Sequence, residues 1–215
     1  LEAQLEAAGK ADYLKEVQRV GKLAKVISVR QQERLGLGHA VYQAAGIVPP
    51  NEDFAVLLGD DIIDSKTPAI GQLMAVQAER GGCCVALMDV PREQTDRYGI
   101  CDGKMVSPGL MHVSGMIEKP DPADAPSTYS IVGRYVLPGE ILKILETTPR
   151  GRGGEIQLTD ALAVLAGRGQ AWGLEFEGAR FDTGNTLGLM RASIHFALKR
   201  PELADGMRGI LAEFS

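Results

Sequence analysis

Hydrophobic positions along the 215-residue chain alternate between helical and extended spacings. Leu1, Leu5, Ala8, Tyr13, Leu14, Val17 and Leu23 recur at helical intervals among charged residues, with Gly9 as an interruption, so residues 1 to about 22 are predicted helical. Residues 24–29 then read as a strand, followed by loop chemistry and a helix from near His39 through Ala45. Residues 54–58 form a short continuous apolar run between polar segments, the pattern of a strand buried in a parallel sheet. Ile70, Leu73, Met74 and Ala78 fall on one face of a helix over 69–80, which Gly81 and Gly82 end. Residues 83–90 form the next buried strand, and shorter strands are predicted at 99–101, 113–118 and 130–136. Helices follow near 138–146 and 156–167, then a strand near 171–176. A helix over 186–199 carries Leu187, Met190, Ile194 and Leu198 on one stripe, and 201–215 reads as one more helix.

Strands alternating with helices predict an α/β fold around a mixed, mostly parallel sheet flanked by helices. The chain shows no internal repeat and no low-complexity linker. Its middle, about 91–136, has several short strands and no long helix, so it reads as an antiparallel part of the same single domain. Composition adds exclusions. A hydrophobic content of 45% is ordinary for a folded protein and excludes disorder as the dominant state. No apolar run of about 18 residues exists to span a membrane. A net charge of −5 argues against a nucleic-acid-binding stripe, but not against a small anionic ligand. Cys83, Cys84 and Cys101 read as buried free thiols of a reducing compartment, the cytoplasm, and His39, His112 and His195 are too scattered for a metal site.

In open α/β sheets ligands bind outside the carboxyl ends of the strands, so the residues just after each strand are the candidates. After 24–29 come Gln31, Gly36 and Gly38. A side-chain amide offers a base edge both a donor and an acceptor, and glycine lets backbone approach a ring or phosphate. The same pattern also describes a plain tight turn, and it is not the dinucleotide fingerprint, which needs a third glycine. After 54–58 come Asp60 and Asp61. Paired carboxylates there suit a hard cation shared with phosphate oxygens, with helix capping as the structural alternative. Glu118 can accept two hydroxyl hydrogen bonds, as a sugar requires, and Lys119 offers a point charge to a phosphate, with an exposed strand-end ion pair as the structural alternative. Asp182 sits near the start of the 186–199 helix, as a second metal-binding carboxylate or a simple cap.

Taken in order, these stretches resemble the sugar-phosphate nucleotidylyltransferases. The carrying residues are Arg30-Gln31, Gly36-Leu-Gly-His-Ala40, Val56-Leu-Leu-Gly-Asp-Asp61, Tyr98-Gly99, Glu118-Lys-Pro120, Ile131-Val-Gly-Arg-Tyr135, Gly154-Glu-Ile-Gln-Leu-Thr-Asp160 and Asp182-Thr-Gly-Asn185. The resemblance runs from about residue 24 to the end. The Gly-Leu-Gly-His and Gly-Glu-Ile-Gln-Leu-Thr-Asp stretches favour the branch that joins UTP to glucose 1-phosphate over the thymidylyl branch. It implies a Rossmann-like nucleotidyltransferase fold and release of UDP-glucose and pyrophosphate. It further implies that Gln31 and Gly36 contact uracil, that Asp60 and Asp182 hold Mg²⁺ with the phosphates, and that Gly99 and Glu118 bind glucose. Lys119 would meet the sugar phosphate, Val132 and Gly133 would line the sugar site, and the protein is expected to be a homo-oligomer. The residues implied in catalysis itself are Asp60, Lys119 and Asp182.

One departure is large. The family opens with a strand and a glycine-rich triphosphate loop carrying an arginine, followed by a lysine, and nothing here corresponds to them. Leu1 also falls inside a helical pattern. The expectation is therefore a trimmed chain with an open sheet edge at 24–29 or 54–58, inactive by itself. The alternatives are a non-catalytic UDP-sugar-binding fragment and a transferase for another sugar or base.

Overall fold

The computed structural model describes residues 1–214, without the side chain of Val20, and divides into two compact units, Leu1–Gln32 and Glu33–Ser215. Ser215, the end of the predicted last helix, lies outside the described residues.

The first unit holds α1 (Glu2–Ala7) and α2 (Ala11–Leu23). Gly9, at φ +64°, makes the turn between them, a conformation in which a side chain would be strained. The strand predicted at 24–29 does not form: Val26 is 83% exposed, and no described residue pairs with the segment in a ladder. Apolar spacing alone does not make a strand, because the extended backbone also needs a hydrogen-bonding partner.

The second unit opens with α3 (Leu37–Tyr42) and a 3₁₀ turn (Gln43–Gly46). Six strands form its main sheet: β1 (Phe54–Leu57), β3 (Cys83–Asp89), β4 (Gly99–Ser107), β5 (Leu110–Glu118), β6 (Tyr129–Leu137) and β7 (Ala171–Glu175). They lie in the order β1-β6-β3-β7-β5-β4, with β4 also meeting β6. The sheet is mixed, as expected, but its described pairings are mostly antiparallel rather than mostly parallel. Within the described residues its parallel pairing is β3–β7, and its other pairings are antiparallel. The β4–β5 hairpin and the return of β6 supply most of these, which is the antiparallel middle expected for 91–136. β1 pairs with β6 alone and alternates half-buried and exposed residues, so it is an edge strand rather than a fully buried one.

Helices α4 (Ala69–Arg80), α5 (Ile141–Thr147) and α6 (Leu158–Gly167) pack on the sheet. β3 shows how. Cys83, Val85 and Leu87 belong to the core with α5 and α6, whereas Cys84 and Ala86 join Leu73 of α4 and Val132 and Val136 of β6. The strand repeat of two thus sends the adjacent cysteines to opposite faces, and all three cysteines are free and buried. Burial pushes the thiols of Cys83 and Cys84 up to about 12.

A second, two-stranded sheet pairs β2 (Asp61–Asp64) antiparallel with β8 (Ala179–Asp182), neither of which the apolar pattern predicts. Helices α7 (Thr186–Lys199) and α8 (Pro201–Ala212) follow. Asn185 caps α7 by accepting from the Gly188 amide at 2.8 Å, so Asp182 is not its cap. The predicted α7 stripe is buried only in part: Leu187 and Met190 stand exposed, Ile194 and Leu198 are half-buried, and the buried residues of the helix are Ala192 and Ala197.

Candidate active site

The small sheet sets the first wall of the site. Asp60 immediately precedes β2 and Asp182 ends β8, and Asp61 and Asp182 are register partners. The Asp60 carbonyl accepts from the Thr183 amide at 2.7 Å and the Thr183 hydroxyl at 2.8 Å. Gly184 donates to Asp182 Oδ1 at 3.0 Å. A Cβ on Gly184 would lie 3.0 Å from Asp60 Oδ2 and 3.1 Å from Asp182 Oδ1, so both carboxylates converge beside this glycine. Among the described residues no group of three or more His, Cys, Asp or Glu converges on a common point. A hard cation at the pair would therefore complete its shell with phosphate oxygens and water, the usual manner of Mg²⁺.

The second wall is the β4–β5 crossing, where Gly99 and Glu118 are register partners. Thr159 of α6 donates to Glu118 Oε2 at 2.6 Å, and the Lys119 ammonium stands 3.5 Å from Glu118 Oε1. A Cβ on Gly99 would meet the Thr159 hydroxyl at 2.8 Å, so glycine is needed for this approach. Lys119 is the one described non-glycine residue with positive φ, +47°, and its amide donates to the Tyr98 carbonyl at 2.9 Å. Such a backbone costs on the order of 1–3 kcal/mol and tends to occur where a side chain must be aimed.

β6 supplies the third wall. The Gly133 amide donates to Asp61 Oδ2 at 2.9 Å, and a Cβ there would come within 2.7 Å of the Asp61 Cβ. The other Asp61 oxygen is paired with Arg180 Nε of β8. Burial lowers the Arg180 pKa, but the hydrogen bond and charge of Asp61 outweigh it, and the net direction is upward. The two adjacent aspartates are thus divided in role: Asp60 is exposed toward Asp182, and Asp61 is buried against Gly133 and Arg180.

These walls enclose a cavity of about 350 Å³, within the range of small-ligand sites. Asp60, Gly99, Glu118, Lys119, Val132, Gly133 and Asp182 all line it. Gly36 is held differently. Its φ is +100°, and a Cβ there would meet the Glu155 Cβ at 2.7 Å, so part of its reason for being glycine is the close passage of 155–157. Gln31 belongs to the first unit. The sequence reading overlooked Arg180, Gln157 and Thr159 as lining residues. Thr159 and Gln157 fall in the Gly154–Asp160 motif, which gave a signal. Arg180 gave none, because its strand was not predicted.

The chain matches the Nucleotidyl transferase family over residues 4–197. It is 44% identical over 213 residues to a UTP–glucose-1-phosphate uridylyltransferase of Staphylococcus epidermidis, covering 99% of this chain and 74% of that protein. The corresponding protein of Staphylococcus haemolyticus is 43% identical over the same shares. Among solved structures, a UTP-bound UGPase from Acinetobacter baumannii superimposes with a TM-score of 0.86 at 36% identity, over all of this chain and 75% of that one. A UDP-glucose pyrophosphorylase complexed with UDP-glucose gives 0.83 at 33% identity, over 90% and 74%. On this likeness and on the cavity its own motifs line, the chain belongs to the UTP–glucose-1-phosphate uridylyltransferase family of nucleotidyl transferases.

Proposed function

We propose that the chain transfers a uridylyl group from UTP to glucose 1-phosphate, releasing UDP-glucose and pyrophosphate. The observation that carries this reading is the single cavity in which Glu118 and Lys119 face the converging pair Asp60 and Asp182. Glucose 1-phosphate needs no general base, because the second pKa of a phosphate monoester is about 6. Its oxygen attacks the α-phosphorus of UTP in line, and the bond to pyrophosphate breaks. Such a transfer asks the protein for position and charge compensation rather than a nucleophile.

Glu118 accepts hydroxyl hydrogen bonds of the glucose, beside the Gly99 backbone, with Val132 and Gly133 at its flank. Lys119 neutralises the attacking phosphate. Gly36 receives the uracil. Asp60 and Asp182 hold Mg²⁺, which when bound offsets the negative charge of the phosphates and of the leaving pyrophosphate. The pair of hard oxygen ligands on one exposed side supports this choice of ion.

Buried free thiols support a cytoplasmic location. No described helix is long and apolar enough to cross a membrane. Exposed Leu187 and Met190 support self-association into a homo-oligomer.

The test is pyrophosphate release from UTP and glucose 1-phosphate with Mg²⁺, beside calorimetry with UDP-glucose. In a chain that also carries the family's triphosphate loop, release that stops with EDTA and with omission of the sugar phosphate is expected. Binding of UDP-glucose without any release would mean a binding module instead, and release with another sugar phosphate in preference would move the substrate.

A further inference from the structure

Asp61 takes no part in the chemistry proposed above, yet it is the one charged side chain among the described residues that is buried, 6% exposed. Its carboxylate is fully engaged, by the Gly133 amide on one oxygen and Arg180 on the other. Its backbone carbonyl accepts from Arg134 of β6. Arg180 in turn lies with its guanidinium carbon 5.8 Å from the Tyr98 ring centroid, and the Tyr98 carbonyl receives the Lys119 amide. These links join the three walls of the cavity. Asp60 and Asp182 ride on the β2–β8 sheet, Gly133 on β6, and Tyr98 and Lys119 on the β4–β5 crossing. The small sheet has only two strands and is tied to β6 both by the Leu58 amide, which donates to the Gly133 carbonyl at 3.0 Å, and by these side-chain links.

We infer that Asp61 and Arg180 form a positioning pair, which fixes the Asp60–Asp182 pair relative to the sugar-phosphate lysine, Lys119. The inference rests on the uridylyl-transfer reading. A buried charge without its partner cannot be left in place, so removing either member forces the wall to move or to admit water. A displacement of about 1 Å between reacting groups costs as much as 100-fold in rate. The sugar side is reached through both Gly133 and Tyr98, so it suffers more than the nucleotide side.

The test uses Asp61→Asn, Arg180→Gln and the double variant, in which a neutral amide pair replaces the ion pair. Amide exchange at Gly133 in the ligand-free chain is followed by NMR, and kcat and the KM for each substrate are measured with the same substitutions in a chain that also carries the family's triphosphate loop. Asp61→Asn is expected to speed Gly133 exchange and to raise the KM for glucose 1-phosphate roughly tenfold, with the KM for UTP changed less than about threefold. The double variant is expected to recover part of that loss. A folded Asp61→Asn protein with a lowered Tm but unchanged KM values, or with both raised equally, makes the pair a structural brace only and overturns the inference. If Asp61→Asn does not fold, Arg180→Lys keeps the charge but shortens the reach to Tyr98; the same KM split is expected, and its absence overturns the inference. A parent chain that neither turns over nor binds UDP-glucose sinks the transferase reading and this role with it, whereas an active parent with unsplit values sinks only the role.

Discussion

Asp60 and Asp182, 122 positions apart in sequence, flank Gly184 so closely that one methyl group added there would touch both carboxylates, at 3.0 and 3.1 Å. The β2–β8 ladder produces this, because it sets Asp182 opposite Asp61 and so beside Asp60. Asp60→Asn removes one of the two charges but keeps the shape. We expect turnover to fall by about 100-fold or more, and UDP-glucose binding measured in EDTA to stay nearly unchanged. Turnover within about twofold of the parent removes Asp60 from the reaction.

The location of this pair was legible in the sequence only in part. Asp60 follows an apolar run, which marked it as a strand-end residue, whereas Asp182 was marked only by its place before the 186–199 helix and by the family motif. The ladder that joins them was not legible. Asp61, Arg180 and Asp182 are charged, and Asp61-Ile-Ile-Asp64 shows no repeat of two, so the apolar pattern carried no trace of β2 or β8. The β4–β5 hairpin was seen at its ends, while Asp102, Gly103 and Lys104 hid its outer half, because exposed hairpin residues answer to solvent rather than to the core. Residues 24–29 failed in the other direction, since their apolar spacing is strand-like but no ladder partner meets them among the described residues. The helices α4, α5 and α6 and the buried β3 were read closely, because their apolar residues fall in the core, those of β3 on both of its faces.

Glu118 is held by Thr159 at one oxygen and faces Lys119 with the other. Glu118→Ala is expected to weaken UDP-glucose by roughly 1–3 kcal/mol and UTP by much less, through loss of sugar-hydroxyl acceptors. Calorimetry with the two ligands checks this. An equal loss for both would make the residue a support for Thr159 rather than a sugar contact.

All three cysteines are buried, and burial raises every one of their pKa values. Alkylation depends on the thiolate at an accessible sulfur. Iodoacetamide at pH 8 is therefore expected to leave the native protein unlabelled after times that suffice to label all three thiols in urea. Mass spectrometry counts the adducts. Rapid native labelling of any one would show that its strand opens to solvent.

Asp64 accepts from His195 at 2.6 Å and lies 2.5 Å from the Lys199 ammonium, which ties β2 to α7. The hydrogen bond from His195 leads, with that from Lys199 next, in holding the Asp64 pKa below its ordinary 3.8. A carboxyl lowered on folding stabilises the fold above its unfolded pKa, and that contribution fades as pH falls through the folded value. Asp64→Asn is thus expected to be less stable than the parent at pH 7, with the gap closing below about pH 3.8. Urea melts at several pH values measure it. A gap independent of pH would assign the loss to packing instead.

The left-handed backbone at Lys119 makes this position a point of conflict between two selections. Glycine at that φ escapes the steric penalty a side chain incurs, so Lys119→Gly is expected to leave the Tm equal or higher, by up to a few degrees, and to lower the affinity for glucose 1-phosphate. A library screened for heat resistance alone would enrich glycine or asparagine there, and one screened for turnover would return lysine. A glycine variant with a markedly lower Tm would mean that the ammonium braces Glu118, and that the two selections agree after all.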